Sequence, residues 1–402
     1  MTLSGLIKRH SPMLRLASLQ FVSLAAIGIV IPYINLYLIE ANLSATLIGT
    51  LASVGAVLAL SITPWLNHLA DKYLRHRLLF MFFMLLLAAG NIIFATTSIQ
   101  LLLIIAALLF PVAIGPGITL GLQLTMTQIA DRKDSILGQI RSFAALGFAA
   151  ASFLAGRLFY WGGYSLLFWT SAILAFVTMQ VATIFPAGSK VKEKHTPKVK
   201  GKRHRGFYVL LASQFFITMG LRNSFAFLFI YLADNPAIGT ASIGMWAAFL
   251  AGIEVPFFVL ADRFLPKVQS RLAYLIGSAG MAIFIFVFGI IQHPFLLILL
   301  FAFRGISFPI FQLSSFTIVS GISQKENVAT NQAILHVTMP NIAILLTGSA
   351  FGWLYEHTGA FVFFAACALT CFIGVLVIAV FWKWLDKPRD IAPAPETEFT
   401  ST

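Results

Sequence analysis

Charged residues are scarce in this chain. Of its 402 residues only 10% are charged, whereas 59% are hydrophobic and 14% are aromatic. A soluble globular protein carries roughly 25% charged residues. The composition therefore excludes an ordinary soluble domain and indicates a chain that lies mostly within a lipid bilayer. In a soluble protein the net charge of +13 would suggest a nucleic acid partner, but the placement of the charges argues against it.

The features of several enzyme and metal-binding classes are also missing. The two cysteines, Cys367 and Cys371, lie in an apolar run without histidine or acidic neighbours, which is more typical of helix packing than of a metal pair. The sequence has no Gly-x-x-x-x-Gly-Lys loop and shows no pair of carboxylates that would form a catalytic cleft. We therefore expect no enzymatic activity, cofactor or metal site, and no ATP-driven transport by this chain alone. The first apolar run is also too long for a cleavable signal peptide.

Long apolar runs are what the sequence has in abundance. A membrane-spanning helix needs about 20 apolar residues. The sequence therefore predicts an all-α membrane protein with twelve transmembrane helices. These lie near residues 14–38, 44–70, 76–97, 99–126, 135–158, 162–186, 207–233, 240–262, 270–291, 294–321, 326–354 and 359–384.

Three of these segments contain helix-breaking residues: Pro32 in the first, a Gly-Pro-Gly run at 115–117 in the fourth, and Pro309 in the tenth. Inside a bilayer such breaks are tolerated where neighbouring helices or a cavity satisfy the freed backbone groups. The seventh and tenth segments also carry Arg222 and Arg304 in their interiors. We therefore expect the first, fourth, seventh and tenth helices to line a central cavity.

The positive charges predict the orientation. With both termini in the cytoplasm, most of the 27 Lys and Arg residues fall in cytoplasmic loops or at cytoplasmic helix ends. Arg157 falls on the external rim, and Arg141, Arg222 and Arg304 fall inside helices. This distribution predicts a multi-pass protein of the plasma (inner) membrane with a cytoplasmic N terminus and a cytoplasmic C terminus.

The sequence also divides into two halves. A basic stretch at 187–206 separates six helices from six, and a solvated linker is a more typical role for it than binding of anionic lipid or nucleic acid. The second helix of each half ends in a related turn, Leu-Ala-Asp-Lys at 69–72 and Leu-Ala-Asp-Arg at 260–263. The repeat predicts two pseudo-symmetric six-helix bundles in parallel orientation. They occupy 1–186 and 207–386, and a tail of disordered composition follows at 387–402.

Twelve helices, a basic central loop and a repeated Leu-Ala-Asp-(Lys/Arg) turn resemble the major facilitator superfamily. The loop signature of that family is Gly-x-x-x-Asp-(Arg/Lys)-x-Gly-Arg-(Arg/Lys), and here Asn67 and Leu74 stand at its glycine positions. The resemblance implies a charge clamp between neighbouring helices that breaks and re-forms as the halves rock. Its residues would be Asp71, Lys72, Arg75 and Arg77, with Asp262 and Arg263 in the repeat.

Finer patterns resemble one branch of that family, which includes lactose permease, the nucleoside–proton symporters and the phenylpropionate permease. They cover nearly the whole chain: Gly28-x-x-x-Pro32 with Tyr37-Leu38, Gly49 with Pro64, Gly138-x-x-Arg141 with Gly147-Phe148, Arg304-Gly-Ile-Ser-Phe308 with Gln312, and Gly352-x-x-Tyr355-Glu356-x-x-Gly359.

The resemblance to lactose permease implies a role in substrate binding for Arg141, which occupies the position of the sugar-binding arginine. Gln123 stands where that permease has an acidic partner, and Phe148 stands where it stacks a tryptophan on its sugar. These departures argue against lactose-like specificity. The alternative for Arg141 is a charge at the cytoplasmic rim.

An ionisable side chain inside a bilayer is costly and indicates function. Glu254 lies two helical turns before Asp262, deep in the eighth helix, and we expect it to carry the coupling proton. By the resemblance, Ser307 stands where lactose permease has its proton-bearing glutamate, so Glu254 is the remaining candidate. The alternative is a glutamate held permanently by an arginine for helix packing.

Arg304 and Arg222 are predicted near the middle of the membrane, and one glutamate leaves a positive charge unpaired. A guanidinium facing a cavity attracts a carboxylate or phosphate. The alternatives are snorkelling of Arg222 towards a rim and a private salt bridge between Arg304 and Glu254. Gln312 and Asn35 are further candidates for substrate binding, because their helices carry breakers, although such residues commonly join helices.

Together these features predict a secondary active transporter that moves a small organic solute of the carboxylate, sugar or nucleoside class by alternating access. We expect proton-coupled symport by a monomer whose partners are the solute, protons and the bilayer, with no nucleic acid. One alternative is a proton-coupled exporter of drugs, sugars or amphiphiles on the same fold. A second is a non-transporting sensor or lipid scramblase.

Overall fold

A computed structural model describes residues 3–73, 76–129, 136–185, 203–264, 268–324 and 327–385. These residues form helices joined by short turns, and no strand occurs among them. The helices are α1 (Leu3–Val30), α2 (Ile34–Glu40), α3 (Ala45–Tyr73), α4 (His76–Thr96), α5 (Gln100–Ile129), α6 (Ile136–Thr183), α7 (Arg205–Ala233), α8 (Ile243–Phe264), α9 (Ser270–Phe288), α10 (Pro294–Ile322), α11 (Val328–Ala333), α12 (Met339–Thr358) and α13 (Ala360–Val380).

Eleven stretches of the described chain are long and apolar enough to span a membrane. One of them, Phe143–Thr183, is 41 residues long because α6 consists of two helices. They are separated at Gly162 and Gly163, whose backbones are non-helical, and the φ of Gly163 is 60°, a conformation that favours glycine. Counting both parts of α6, the predicted twelve spans are confirmed.

Proline affects these helices less than the sequence suggests. The predicted break at Pro32 is confirmed, since residues 31–33 form a turn between α1 and α2. The breaks predicted in the fourth and tenth spans are wrong, because α5 continues through Pro116 and α10 continues through Pro309. A proline removes one backbone donor, and within a packed bundle the flanking turns stay helical. The eleventh span instead contains a π-helical turn, Ile334–Thr338, between α11 and α12.

The two halves meet at one end of the molecule, which we call the closed face. This end carries the turn at Asn42, the loop at 234–239 and the α12–α13 turn at Gly359. Several hydrogen bonds join the halves there. Gly244 N donates to Tyr33 Oη (2.9 Å), Asn35 Nδ2 to Ala226 O (2.8 Å), Ser53 Oγ to Ile344 O (2.9 Å), and Thr46 N and Oγ1 to Glu356 Oε2 (2.9 and 2.6 Å).

Two glycines of the patterns noted in the sequence allow helices to cross closely. A Cβ at Gly49 in α3 would overlap the carbonyl oxygen of Gly348 in α12, so this position brings the two halves into contact at the closed face. A Cβ at Gly28 would lie 2.7 Å from the carbonyl oxygen of Phe148, so α1 packs directly against the α6 backbone within the first half. Gly28 thereby fixes the position of Phe148.

Two regions of the predicted domain division lie largely outside the described residues. The linker predicted at 187–206 is described from 203 onwards, where Arg205 begins α7. The predicted tail at 387–402 lies wholly outside the described residues.

The two cysteines pack between helices. Cys367 and Cys371 are both buried, and Cys371 Sγ of α13 donates a hydrogen bond to Ile217 O of α7 at 3.3 Å.

Candidate functional site

A cavity of about 360 Å³ lies between the halves. Its volume is within the roughly 300–1,000 Å³ typical of small-molecule sites. The residues that line it come from α1, α6, α7, α8 and α10: Leu24, Ala144, Ala145, Phe148, Phe225, Phe229, Ala247, Leu250, Ala251, Glu254, Val255, Phe258, Arg304 and Phe308.

The lining differs from the expectation in one respect. The first, seventh and tenth spans contribute as predicted, but among the described residues the other lining positions come from the first part of α6 and from α8, not from α5. The helix α5 turns small residues towards α4 instead. A Cβ at Gly117 would lie 2.9 Å from Met84 Cε, and one at Gly121 would lie 3.0 Å from Phe80 Cε2.

The cavity wall is mainly apolar, and five of its residues are phenylalanines. Two charged residues, Glu254 and Arg304, are the exceptions among the described lining residues. The guanidinium of Arg304 donates a hydrogen bond to the carboxylate of Glu254, and the two side chains are 10% and 17% exposed. Removing one partner of such a sheltered pair leaves an uncompensated charge, which typically costs about 3–5 kcal/mol.

Neighbouring side chains hold Arg304 in place. Its guanidinium carbon lies 5.2 Å from the ring centroid of Phe308 and 5.8 Å from that of Phe284, both within the range of cation–π attraction. A Cβ at Gly305 would lie 2.7 Å from Ile253 Cγ2, so α10 approaches α8 closely beside the pair. The salt bridge that was the alternative role for Arg304 and Glu254 is therefore formed in this conformation, and it faces the cavity.

Arg222 in α7 is neither among the residues that line the cavity nor part of this pair. Its side chain is exposed, and it precedes Phe225 by three residues and Phe229 by seven in α7. Residues with these spacings share one face of a helix. Arg222 therefore lies on the same face of α7 as the two phenylalanines, and its role in substrate binding stays a prediction, with snorkelling as the alternative.

The other predicted substrate residues divide into three cases. Phe148 lines the cavity. Arg141 in α6 and Gln123 in α5 have helical backbones, but their side chains lie outside the described part of the chain. Asn35 joins α2 to the carbonyl of Ala226 at the closed face, and Gln312 is half-buried in α10 two turns past Arg304. The roles of all four in substrate binding stay predictions.

The predicted clamp is described at one of its positions, Arg77. Its Nη1 donates to the carbonyl oxygens of Phe185 at 2.6 Å and of Thr183 at 3.4 Å, so it caps the end of α6 within the first half. The remaining positions lie outside the described side chains: Asp71, Lys72, Arg75, Asp262 and Arg263.

His336 lies in the π-helical turn. Its ring stacks on Phe316 with centroids 3.9 Å apart, and Ser315 Oγ lies 3.5 Å from Nε2.

Sequence reasoning missed Phe225, Phe229 and Phe308 at the cavity. Their positions three, seven and four residues after an intramembrane arginine were the available signal.

Comparison with known proteins places this fold in a family. The model of the MFS_1 like family matches residues 13–366. The sucrose permease of Escherichia coli is 23% identical over 265 residues, which cover 63% of this chain and 63% of the permease.

Solved structures of transporters share the fold. The nucleoside transporter NupG has a TM-score of 0.74 at 16% identity, covering 94% of this chain and 100% of NupG. The peptide transporter POT in complex with sulfate has a TM-score of 0.74 at 14% identity, covering 94% of this chain and 96% of POT. The predicted resemblance is confirmed: the chain belongs to the MFS_1 like family and is a multi-pass membrane protein with the major facilitator fold.

Proposed function

We propose that this protein is a proton-coupled symporter of a small organic solute and that it works by alternating access. The observation that carries the proposal is the Glu254–Arg304 pair, which faces a cavity between two halves that are in contact at one end. A charged pair is expensive inside a bilayer, and a transporter that binds a proton and a solute gives it a use. The relatives, named as transporters of sucrose, nucleosides and peptides, support a small organic solute.

The orientation of the molecule follows from its positive charges. The loops at Asn42, 234–239 and Gly359 contain no Lys or Arg, whereas the basic linker lies at the other end of the helices. By the positive-inside rule the closed face is external and both termini are cytoplasmic. The conformation is then closed to the outside, and its cavity would release solute to the cytoplasm.

Protonation of Glu254 is the coupling step in this proposal. A proton added to the carboxylate gives a neutral carboxylic acid, and Arg304 loses its counter-charge. The Arg304 guanidinium then has donors available for the solute, and the rings of Phe284 and Phe308 still attract its positive charge. Release of the proton on the cytoplasmic side restores the pair and completes the cycle.

In this proposal the predicted clamp acts in the other conformation of the cycle, in which the closed face is open. Asp71, Lys72 and Arg75 lie near the cytoplasmic end of the second span, and Asp262 and Arg263 lie at the matching place in the second half. When the closed face opens, these charges would hold the cytoplasmic face together. Arg77 is better explained as the cap of α6.

The test is uptake by proteoliposomes under an imposed inward proton gradient, with a panel of sugars, nucleosides and organic acids. We expect Glu254→Gln to abolish proton-driven accumulation and to leave equilibrium exchange of the transported solute largely intact. Unchanged accumulation in that variant would remove Glu254 from the mechanism. A protein that moves no solute under an inward or an outward proton gradient would be a sensor or scramblase.

The direction of coupled transport is tested with the same vesicles. Accumulation under the reversed gradient alone would identify the alternative, a proton-coupled exporter of drugs, sugars or amphiphiles. Reconstitution in a known orientation is needed, and a protease that cuts the basic linker provides the measure of orientation.

A further inference from the structure

We propose that Arg222 is the receptor for the negative group of the solute and that the solute is a small organic anion with an apolar body. This inference rests on the transport function proposed above and names its substrate class.

The packing of α7 determines the direction of Arg222. Gly220 lies against α13, since a Cβ there would overlap the carbonyl oxygen of Cys367. Asn223 Nδ2 donates to Thr347 Oγ1 of α12 at 3.0 Å. Arg222 is about 200° around the helix from Gly220 at 100° per residue, and it therefore points away from α13. Ala226, one turn further along, contacts Asn35 of the first half. The Arg222 side of α7 thus faces the first half across the cavity.

The charges around the cavity do not balance. Arg304 is paired with Glu254, so its charge is compensated in this conformation. Arg222 is exposed, and in the described part of the chain no hydrogen bond or ion pair joins its side chain to another residue. The inward sides of α7, α8 and α10 therefore carry two arginines and one glutamate. While the cavity is open to water, solvent compensates Arg222, but occlusion removes that water and leaves a costly buried charge.

An anionic solute would resolve this imbalance at the moment of occlusion. A guanidinium presents its N–H donors in a planar fork that matches the two oxygens of a carboxylate or of a phosphate. Arg222 is suited to this role in the present conformation, because Arg304 is occupied by Glu254. The solute would reach Arg222 first, and Arg304 would become available after Glu254 is protonated.

The remaining wall determines the body of the solute. Phe225 and Phe229 extend from Arg222 along α7, and Phe148 lines the cavity from the first half. Each hydroxyl of a sugar needs a hydrogen-bond partner when it is buried, and burial without one costs free energy. Glu254 and Arg304 supply the polar side chains among the described lining residues. The cavity therefore fits an apolar body carrying one acidic group better than it fits a polyhydroxylated solute.

The experiment compares matched charged and neutral probes on the full-length protein. The probes are benzoate with benzamide, cyclohexanecarboxylate with its amide, and phenyl phosphate with phenol. Binding is measured by thermal stabilisation in detergent and by competition for exchange in proteoliposomes. We expect a carboxylate to bind roughly thirtyfold more tightly than its amide, which is the ratio for a contact of about 2 kcal/mol.

Variants assign that preference to one residue. In Arg222→Gln the ratio should fall towards one, and Arg222→Lys, which keeps the charge without the planar fork, should retain part of it. Arg157→Gln is the matched control, because it removes an exposed arginine of α6 that is not among the cavity-lining residues. A preference for phenyl phosphate with the same dependence on Arg222 would support the receptor and assign it a phosphate. An equal affinity for anions and neutral partners, or a preference that survives in Arg222→Gln, would overturn the proposal.

The two levels of the proposal fail differently. If benzamide is accumulated with full dependence on Glu254 and no anion is preferred, the substrate class is wrong and proton-coupled transport stands. If Glu254→Gln accumulates solute as the wild type does, the coupling mechanism fails whatever the result at Arg222.

Discussion

The ion pair in the cavity allows a stability prediction that does not require the substrate. Glu254→Gln leaves Arg304 without its counter-charge beside α8. Truncating one partner of a buried pair costs about 3–5 kcal/mol. Here the side chains retain 10% and 17% exposure, and Phe284 and Phe308 attract the free cation by about 0.5–2 kcal/mol. We therefore expect Glu254→Gln to destabilise the protein by about 2 kcal/mol, and Arg304→Gln by a similar amount.

The double variant tests whether this cost comes from the pair. With both charges removed, no uncompensated charge remains, and the two amides can form a neutral hydrogen bond. We expect the double variant to be less destabilised than the sum of the single variants by about 2 kcal/mol, a coupling in the range of residues in direct contact. The assay is thermal unfolding in one detergent at fixed protein concentration. Additive effects within about 0.5 kcal/mol would refute the reasoning, and the Phe258→Leu variant serves as control for a changed cavity wall without a changed charge.

Three further substitutions test the closed face, the end of α6 and the cavity wall. Gly49→Leu should hold α3 away from Gly348 and open the closed face, which would be measured as faster thiol labelling of a cysteine introduced at Ser53. Gly115→Leu is the control, since a Cβ there would meet nothing within 4 Å. Equal labelling rates in the two variants would contradict the prediction. Arg77→Gln should destabilise the first half by about 1–2 kcal/mol, because it removes the hydrogen bonds from Arg77 to the end of α6. A changed rate of transport at an unchanged melting temperature would instead support the clamp role of Arg77. Phe148→Ala should weaken solute binding by about 1–3 kcal/mol of lost apolar contact while the Gly28 crossing keeps the helix in place, whereas unchanged affinity would remove Phe148 from the site.

The spans were predictable from the sequence because length and apolar composition determine them. A helix that satisfies its own backbone needs no long-range partner to form in lipid, so each apolar run of about 20 residues can be assigned alone. The intramembrane charges were predictable for the same reason, since Glu254 and Arg304 stand out against an apolar background. Their cost in the bilayer marks them before their partner is known.

The rotation of the helices was not predictable in the same way. A Gly-Pro-Gly run fits both a broken helix beside a cavity and a continuous helix with close packing, and in α5 the second glycine of the run, Gly117, packs against Met84 of α4. Two arginines, Arg222 and Arg304, were predicted at a depth similar to that of Glu254. Residue spacing does not give the rotation of α7, α8 and α10 about their axes, so it could not decide which arginine pairs with Glu254. The cavity phenylalanines were hidden among 39 in the chain. The glycine at 49 was identified by resemblance, and the structure supplies its physical reason in the crossing with α12.

The position of Glu254 explains how a proton in the cavity can act on the closed face. Glu254 and Arg304 both belong to the second half, so protonation breaks no contact between halves directly. However, α8 also carries Gly244, whose N–H donates to Tyr33 of the first half. Ten residues separate Gly244 from Glu254, about 15 Å along one helix. A shift of α8 on loss of the ion pair would therefore move Gly244 relative to Tyr33. The hydrogen bonds that join the halves among the described residues each contribute about 0.5–1.5 kcal/mol, so their summed free energy is comparable with that of the pair. We expect Tyr33→Phe, which removes the acceptor for Gly244, to favour opening of the closed face even when Glu254 is ionised, measured by thiol labelling at Ser53→Cys. A labelling rate equal to that of the parent would show that α8 does not carry the coupling.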